Sequence, residues 1–93
     1  MLKTLEDLIS IIRQRKSSSD DKSYTSKLLK DKNLSVEKVK EEISELIEAV
    51  ENNYNTVHEA ADVLYHLFVY LEGNGVRIEE IMLELEKRRK KES

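Results

Sequence analysis

The chain contains no cysteine, no proline and no tryptophan, and only 2 of its 93 residues are glycine. Without cysteine there is no disulfide framework, no thiolate metal site and no cysteine nucleophile. The scarcity of proline and glycine removes the two residue types that most readily break helices. No run approaches the roughly 18 apolar residues of a membrane-spanning helix. The opening MLKTLEDLISIIRQRK mixes apolar and charged residues and lacks the unbroken apolar core of a signal peptide. A net charge of −3 argues against a general nucleic-acid binder. These absences leave a soluble cytoplasmic protein as the expectation.

What is present is 39% apolar and 38% charged residues, a balance that favours amphipathic helices. Residues 1–93 are enough for one domain at most. A chain this short buries only roughly 60–70% of the surface that its unfolded form exposes, so self-association is a natural way to complete its core. The one basic run, Lys87-Arg88-Arg89-Lys90-Lys91, falls at the end of a predicted helix. There it complements the helix dipole and stays solvated.

Leu2, Leu5, Leu8, Ile9 and Ile12 recur at helical spacing and predict a first helix over about 2–16. KSSSDDKS (16–23) reads as a polar loop, and SYTSKLLKDK (23–32) as a short helix or turn. Ser35 is the expected N-cap of a helix carrying Val36, Val39, Ile43, Leu46, Ile47 and Val50 on its apolar arc. Asn52-Asn53-Tyr54-Asn55 ends it. The next helix is expected from about Thr56 to Glu72, stopped by Gly73-Asn74-Gly75, and a last one over about 78–91 with Ile78, Ile81, Met82 and Leu85 on one face. No strand pattern competes. The fold class is all-α: a helical bundle of four to five helices whose core is completed by dimerisation.

The acids of EEISELIEAV (41–50) do not all fit a solvated face. At roughly 100° per residue, Glu37, Glu41, Glu48 and Glu51 fall well away from the apolar arc, whereas Glu42 and Glu45 border it, with Lys38 one turn earlier. On the following helix the apolar residues from Val57 to Leu71 wrap most of the circumference, which predicts a central, largely buried helix. Glu59, Asp62 and His66 interrupt it along one narrow strip, beside the small Ala60 and Ala61. Unpaired carboxylates are expensive to bury, so they must meet cations or a water-filled cleft. Thr56-x-x-Glu59 also matches a capping box, which would explain Glu59 but not the deeper Asp62. His66 reads as a hydrogen-bonded core histidine. EEIMLELE (79–86) is as acidic without any acid pair at i, i+3, so acidity alone says little.

An E-x-x-E pair on one helix and an E-x-x-D pair on the next would set four carboxylates across one interhelical groove. Hard divalent cations take oxygen ligands, and Mg²⁺ typically combines a few carboxylates with waters and substrate phosphates. Such a site can neutralise a polyphosphate and activate a water for in-line attack. A di-iron carboxylate centre would need Glu-x-x-His pairs, and neither His58 nor His66 has a glutamate three residues before it. No P-loop and no nucleophile-elbow motif is present.

Glu41-Glu42-x-x-Glu45 followed by Glu59-x-x-Asp62 resembles the EExxE…ExxD signature of the all-α, MazG-like nucleotide pyrophosphohydrolases. SYTSKLL (23–29), KVKEEISE (38–45) and EAADVLYHLFVYL (59–71) narrow the resemblance, over nearly the whole chain, to the phosphoribosyl-ATP pyrophosphatase group. The resemblance implies Mg²⁺-dependent hydrolysis of 1-(5-phosphoribosyl)-ATP to 1-(5-phosphoribosyl)-AMP and pyrophosphate, the second step of histidine biosynthesis, by a cytoplasmic homodimer or larger homo-oligomer. Carried over by position, Glu42, Glu45, Glu59 and Asp62 would be the metal ligands. Glu41 would orient the attacking water or sit behind the ligands. Charge and position add Ser23, Tyr24, Thr25, Lys27 and Lys38 as substrate-binding residues.

The chain departs from the group in two places. Lys40 stands where glycine is common, on the side away from the acid strip, so the site should survive. The link from Asn52 to Thr56 is shorter than usual, which affects where the next helix begins. No fused cyclohydrolase domain accompanies the chain, so only the pyrophosphatase step is expected. A MazG-like hydrolase of another (d)NTP shares the same metal site. A non-catalytic helical dimerisation module, its acids merely solvated, is the alternative of a different class.

Overall fold

The computed structural model describes residues 2–18 and 22–92. The helices are α1 (Lys3–Ser17), α2 (Tyr24–Lys30), α3 (Lys32–Asn52), α4 (Thr56–Gly73) and α5 (Ile78–Glu92). With no strand among the described residues, the chain is an all-α bundle, as expected from its sequence. The polar loop expected over 16–23 lies partly outside the described residues. SYTSKLLKDK resolves into α2 and the first residue of α3.

Helix α3 starts earlier than expected. Asp31 is its cap, its carboxylate accepting from Leu34 N at 3.1 Å. With the helix begun one turn upstream, the amides that a Ser35 cap would have served lie inside the helix and bond to its own carbonyls. Ser35 is therefore a helix-interior residue and is buried.

The α3–α4 link is short because two asparagines bend it. Asn53 (φ 52°) and Asn55 (φ 59°) both adopt the left-handed conformation, which asparagine tolerates better than other non-glycine residues. Asn55 then occupies the N-cap of α4 without a side-chain cap bond. The capping box at Thr56 and Glu59 is thus not formed: the Thr56 hydroxyl donates back to Ala49 O at 3.3 Å, and Glu59 N bonds Asn55 O at 3.1 Å. At the other end of α4, Asn74 is the C-cap and Gly75 takes a positive φ of 79°.

Helix α4 is the centre of the bundle: it packs against α1, α2, α3 and α5, and most extensively against α3. The core consists of Ile9 and Ile12 from α1, Leu28 from α2, and Phe68 and Val69 from α4. Leu5, Leu8, Leu29, Leu34, Tyr65, Leu71 and Ile78 close over it. Each fully buried aliphatic of this kind contributes about 1.5–3 kcal/mol.

The apolar arc of α3 does not join that core. Ile43, Ile47 and Val50 are 41%, 54% and 58% exposed, and across the hairpin Val57 and Leu64 of α4 are exposed too. The seam that α3 does bury is Ser35, Glu42 and Ala49, spaced seven residues apart. Small side chains at both ends of that seam leave Glu42 held inside. Helix α5 likewise buries none of its residues, and Met82 and Leu85 stay largely exposed.

One polar network ties α5 and α1 to the end of α4. Arg13 donates through Nε and Nη2 to the two carboxylate oxygens of the buried Glu72, both at 2.9 Å, and through Nη1 to Glu79 at 3.0 Å. Glu72 also accepts from Ile78 N at 3.2 Å, and Lys16 Nζ donates to its backbone oxygen at 2.7 Å. The fork geometry of arginine suits this bidentate grip.

Candidate active site between α3 and α4

The four sequence-selected acids meet across the α3–α4 hairpin. Carboxylate oxygens of Glu42, Glu45 and Glu59 lie within 4.8 Å of one another, and His58, Glu59 and Asp62 form a second such group that shares Glu59. The i, i+3 spacing puts each pair on one face of its helix, and the asparagine turn folds the two faces together. Glu42 is 8% exposed, Glu59 and Asp62 are half-buried, and Glu45 faces solvent at the edge.

Oε2 of Glu42 and Oε2 of Glu59 are buried and accept no hydrogen bond. Burial, followed by the neighbouring Glu45 and Asp62 carboxylates, pushes the Glu42 carboxyl above its ordinary value, and the same causes in the same order raise Glu59. Buried polar atoms are nearly always partnered, so the two unpartnered carboxylate oxygens are groups that could hold a cation. An all-oxygen donor set of this kind suits a hard divalent cation.

The flanking charges are already engaged. Lys38 Nζ donates to Glu41 Oε2 at 3.3 Å, a hydrogen bond that raises the lysine above its ordinary value. Glu41 itself is exposed, outside the converging group. His58 Nε2 lies 3.3 Å from Asp62 Oδ2 on the exposed side of α4. Lys40 is exposed, as expected of its place on the helix.

The SYT segment is fastened to α4 behind the acids. His66 Nδ1 lies 2.8 Å from Asp62 O, the carbonyl one turn back, so Nδ1 carries the proton and Nε2 accepts. The Tyr24 hydroxyl donates to that Nε2 at 2.9 Å. Burial pushes the Tyr24 hydroxyl above its ordinary value and keeps it a donor. Thr25 Oγ1 and the Tyr65 hydroxyl share a short hydrogen bond. The rings of Tyr24 and Tyr65 stack at 6.2 Å, with His66 edge-on to both. His66 is therefore the hydrogen-bonded core histidine expected from the sequence, with the added role of joining α2 to the backbone of Asp62.

Ser23 caps α2, accepting from Ser26 N at 3.0 Å and donating to the buried Ser26 Oγ at 2.8 Å. Lys27 lines an open groove at the α2–α3 junction together with Lys22, Lys30 and Lys32. The last three were not singled out in the sequence, although KSYTSKLLKDK (22–32) carries lysines at its first, sixth, ninth and eleventh positions.

The chain matches the family described as phosphoribosyl-ATP pyrophosphohydrolase over residues 5–89. It is similar to a phosphoribosyl-ATP pyrophosphatase of Methylobacterium nodulans, with 47% identity over 88 residues, 91% of this chain and 82% of that protein. A phosphoribosyl-ATP pyrophosphatase of Methanoregula boonei is 40% identical over 94 residues, with 96% of this chain and 90% of that protein covered. A histidine biosynthesis bifunctional protein of Pyrococcus furiosus is 41% identical over 90 residues, but the match spans only 43% of its length. Matched over most of its length by the family and by relatives covered nearly end to end, the chain belongs to the phosphoribosyl-ATP pyrophosphohydrolase family.

Proposed function

We propose that the protein hydrolyses 1-(5-phosphoribosyl)-ATP to 1-(5-phosphoribosyl)-AMP and pyrophosphate, the second step of histidine biosynthesis, as a cytoplasmic Mg²⁺-dependent enzyme acting through the single domain 1–93. The observation that carries the chemistry is that Glu42 and Glu59, whose carboxylates converge with Glu45 between α3 and α4, each hold a buried oxygen without a hydrogen-bond partner. The substrate identity is supported by the family and by the names of the relatives.

Glu42, Glu45, Glu59 and Asp62 would hold the cation. When bound, it would neutralise triphosphate charge and polarise the phosphoryl group under attack. The chain's own residues do the rest. The buried Glu42 and half-buried Glu59 would set where a cation, and through it the triphosphate, is held. Glu41, paired with Lys38 and next to Glu42 in the chain, orients the attacking water and takes up its proton. Water adds at the α-phosphorus and the bond to the bridging oxygen breaks, so pyrophosphate leaves and the monophosphate remains. Ser23, Tyr24, Thr25, Lys27 and Lys38 lie on the side from which the rest of the substrate approaches. Of these, Ser23 and Thr25 already spend their hydroxyls on α2 and Tyr65, so their role is to hold Tyr24 and Lys27 in place.

The protein is a homodimer in this reading. Ile43, Ile47 and Val50 of α3 and Val57 and Leu64 of α4 are exposed apolar residues of the α3–α4 hairpin, of the kind that a second copy covers.

The deciding experiment measures pyrophosphate release from phosphoribosyl-ATP beside a panel of dNTPs, with Mg²⁺ and with EDTA. Rapid Mg²⁺-dependent turnover of phosphoribosyl-ATP is expected. Turnover of a dNTP alone would reassign the substrate, and no turnover of any nucleotide would leave a helical dimerisation module.

A further inference from the structure

The acid cluster accounts for one end of a nucleotide substrate, and the opposite charge gathers elsewhere. Although the chain is net negative, Lys22, Lys27, Lys30 and Lys32 all line one open groove of about 1070 Å³ at the α2–α3 junction, together with Tyr24 and Asn33. Asp31 is the acid among the described lining residues, and its carboxylate is turned to Leu34 N as the cap of α3. The amino end of the 21-residue α3 opens at the same place and adds the positive end of its dipole.

Groove and acid cluster are arranged along one helix. Lys32 and Glu42 are ten residues apart on α3, roughly 15 Å at 1.5 Å per residue. Tyr24 stands between them: it lines the groove, and its hydroxyl bonds His66, which in turn holds the Asp62 carbonyl.

The substrate of the proposed reaction has matching polarity. Its triphosphate hangs from one edge of the purine, and a second ribose at the opposite edge carries a phosphate monoester. A carboxylate cluster takes a phosphate only through a cation, whereas lysine ammonium groups take one directly. Resting on the substrate reading above, we propose that the lysine-lined groove binds the phosphate monoester of the phosphoribosyl arm, with Lys27 and Lys32 as specificity-determining residues. The groove then distinguishes phosphoribosyl-ATP from nucleoside triphosphates that have no second phosphate.

The test has two arms on the full chain. In the first, Lys27→Ala with Lys32→Ala is assayed for pyrophosphate release from phosphoribosyl-ATP and from ATP. A tenfold or greater rise in KM for phosphoribosyl-ATP is expected, with kcat within about twofold and a smaller proportional loss of kcat/KM for ATP. An unchanged KM, or an equal loss on both substrates, overturns the assignment. In the second arm, ribose 5-phosphate is titrated without metal while backbone amide shifts are followed by NMR. Saturable shifts confined to residues 22–33, lost in the double variant and not produced by ribose, are expected. Non-saturable shifts, or shifts of equal size at the basic end of α5, overturn the proposal. This arm needs no turnover, so it still decides the groove if wild type fails to hydrolyse phosphoribosyl-ATP and the functional reading falls.

Discussion

His66 holds Asp62 by its backbone rather than by its side chain: Nδ1 donates to the Asp62 carbonyl oxygen at 2.8 Å, and the Asp62 carboxylate stays with the acid cluster. The imidazole thereby links Tyr24 of α2 to the turn of α4 that carries the site. Tyr24→Phe removes one hydrogen bond and leaves a buried ring nitrogen unsatisfied, which costs about 1–3 kcal/mol. Melting should fall by several degrees, with KM for the nucleotide rising more than kcat falls. A variant as stable as wild type would show that this bond does not fasten α2.

The acid cluster should be a liability in the absence of a cation. Glu42 has its proton affinity raised by burial and by Glu45 and Asp62, so its ionised form at neutral pH works against the folded state. Glu42→Gln is expected to abolish hydrolysis while leaving metal-free stability equal or higher. Millimolar Mg²⁺ should raise the melting temperature of wild type and have much less effect on the variant. A clear loss of metal-free stability in Glu42→Gln would count against repulsion among the four acids.

Arg13 has the opposite standing, because it neutralises a buried carboxylate. Arg13→Met should cost roughly 2–3 kcal/mol, since it strands Glu72. That is below the range for a fully buried pair, because the Arg13 side chain is 30% exposed. Equilibrium unfolding in urea measures it, and a loss under about 0.5 kcal/mol would mean that α1 and α5 do not depend on this contact.

The same network sets the acid limit. Hydrogen bonding to Arg13 holds Glu72 below its ordinary value of 4.5 and brings Glu79 to about 2. Both carboxyls bind protons less readily when folded, so their contribution is complete above about 4.5 and is lost as pH falls toward 2. Melting temperature followed from pH 6 down to 2.5 should drop steeply in wild type and less steeply in Arg13→Met. Parallel curves would assign the acid transition to other groups.

The exposed apolar residues of the hairpin predict assembly. Ile47→Asp places a charge among them while leaving the described core untouched. Sedimentation equilibrium should find a dimer in wild type and a monomer in the variant, with helical content retained. A dimeric Ile47→Asp would move the interface elsewhere, for instance to the apolar cleft between α1 and α5 lined by Leu5, Met82 and Leu83.

Much of this was legible in the sequence because it is local. Helical periodicity gave the helices nearly to their ends, and i, i+3 spacing picked out Glu42, Glu45, Glu59 and Asp62. Local patterns misled where two candidates competed for one role: Asp31 took the cap expected of Ser35, and Asn55 displaced the Thr56 box. Periodicity also finds an apolar arc without saying what covers it, so Ile43, Ile47 and Val50 looked like core. Arg13 was invisible for another reason. Its partners lie 59 and 66 residues away, and nothing near it in the chain signals them.

The two left-handed asparagines have a consequence for how this hairpin can vary. Both reverse the chain within the three residues between the helices, and a β-branched residue at either position would be strained. The convergence of Glu42 and Glu45 with Glu59 therefore depends on residues that belong to neither acid pair. The two acid pairs by themselves do not carry that geometry.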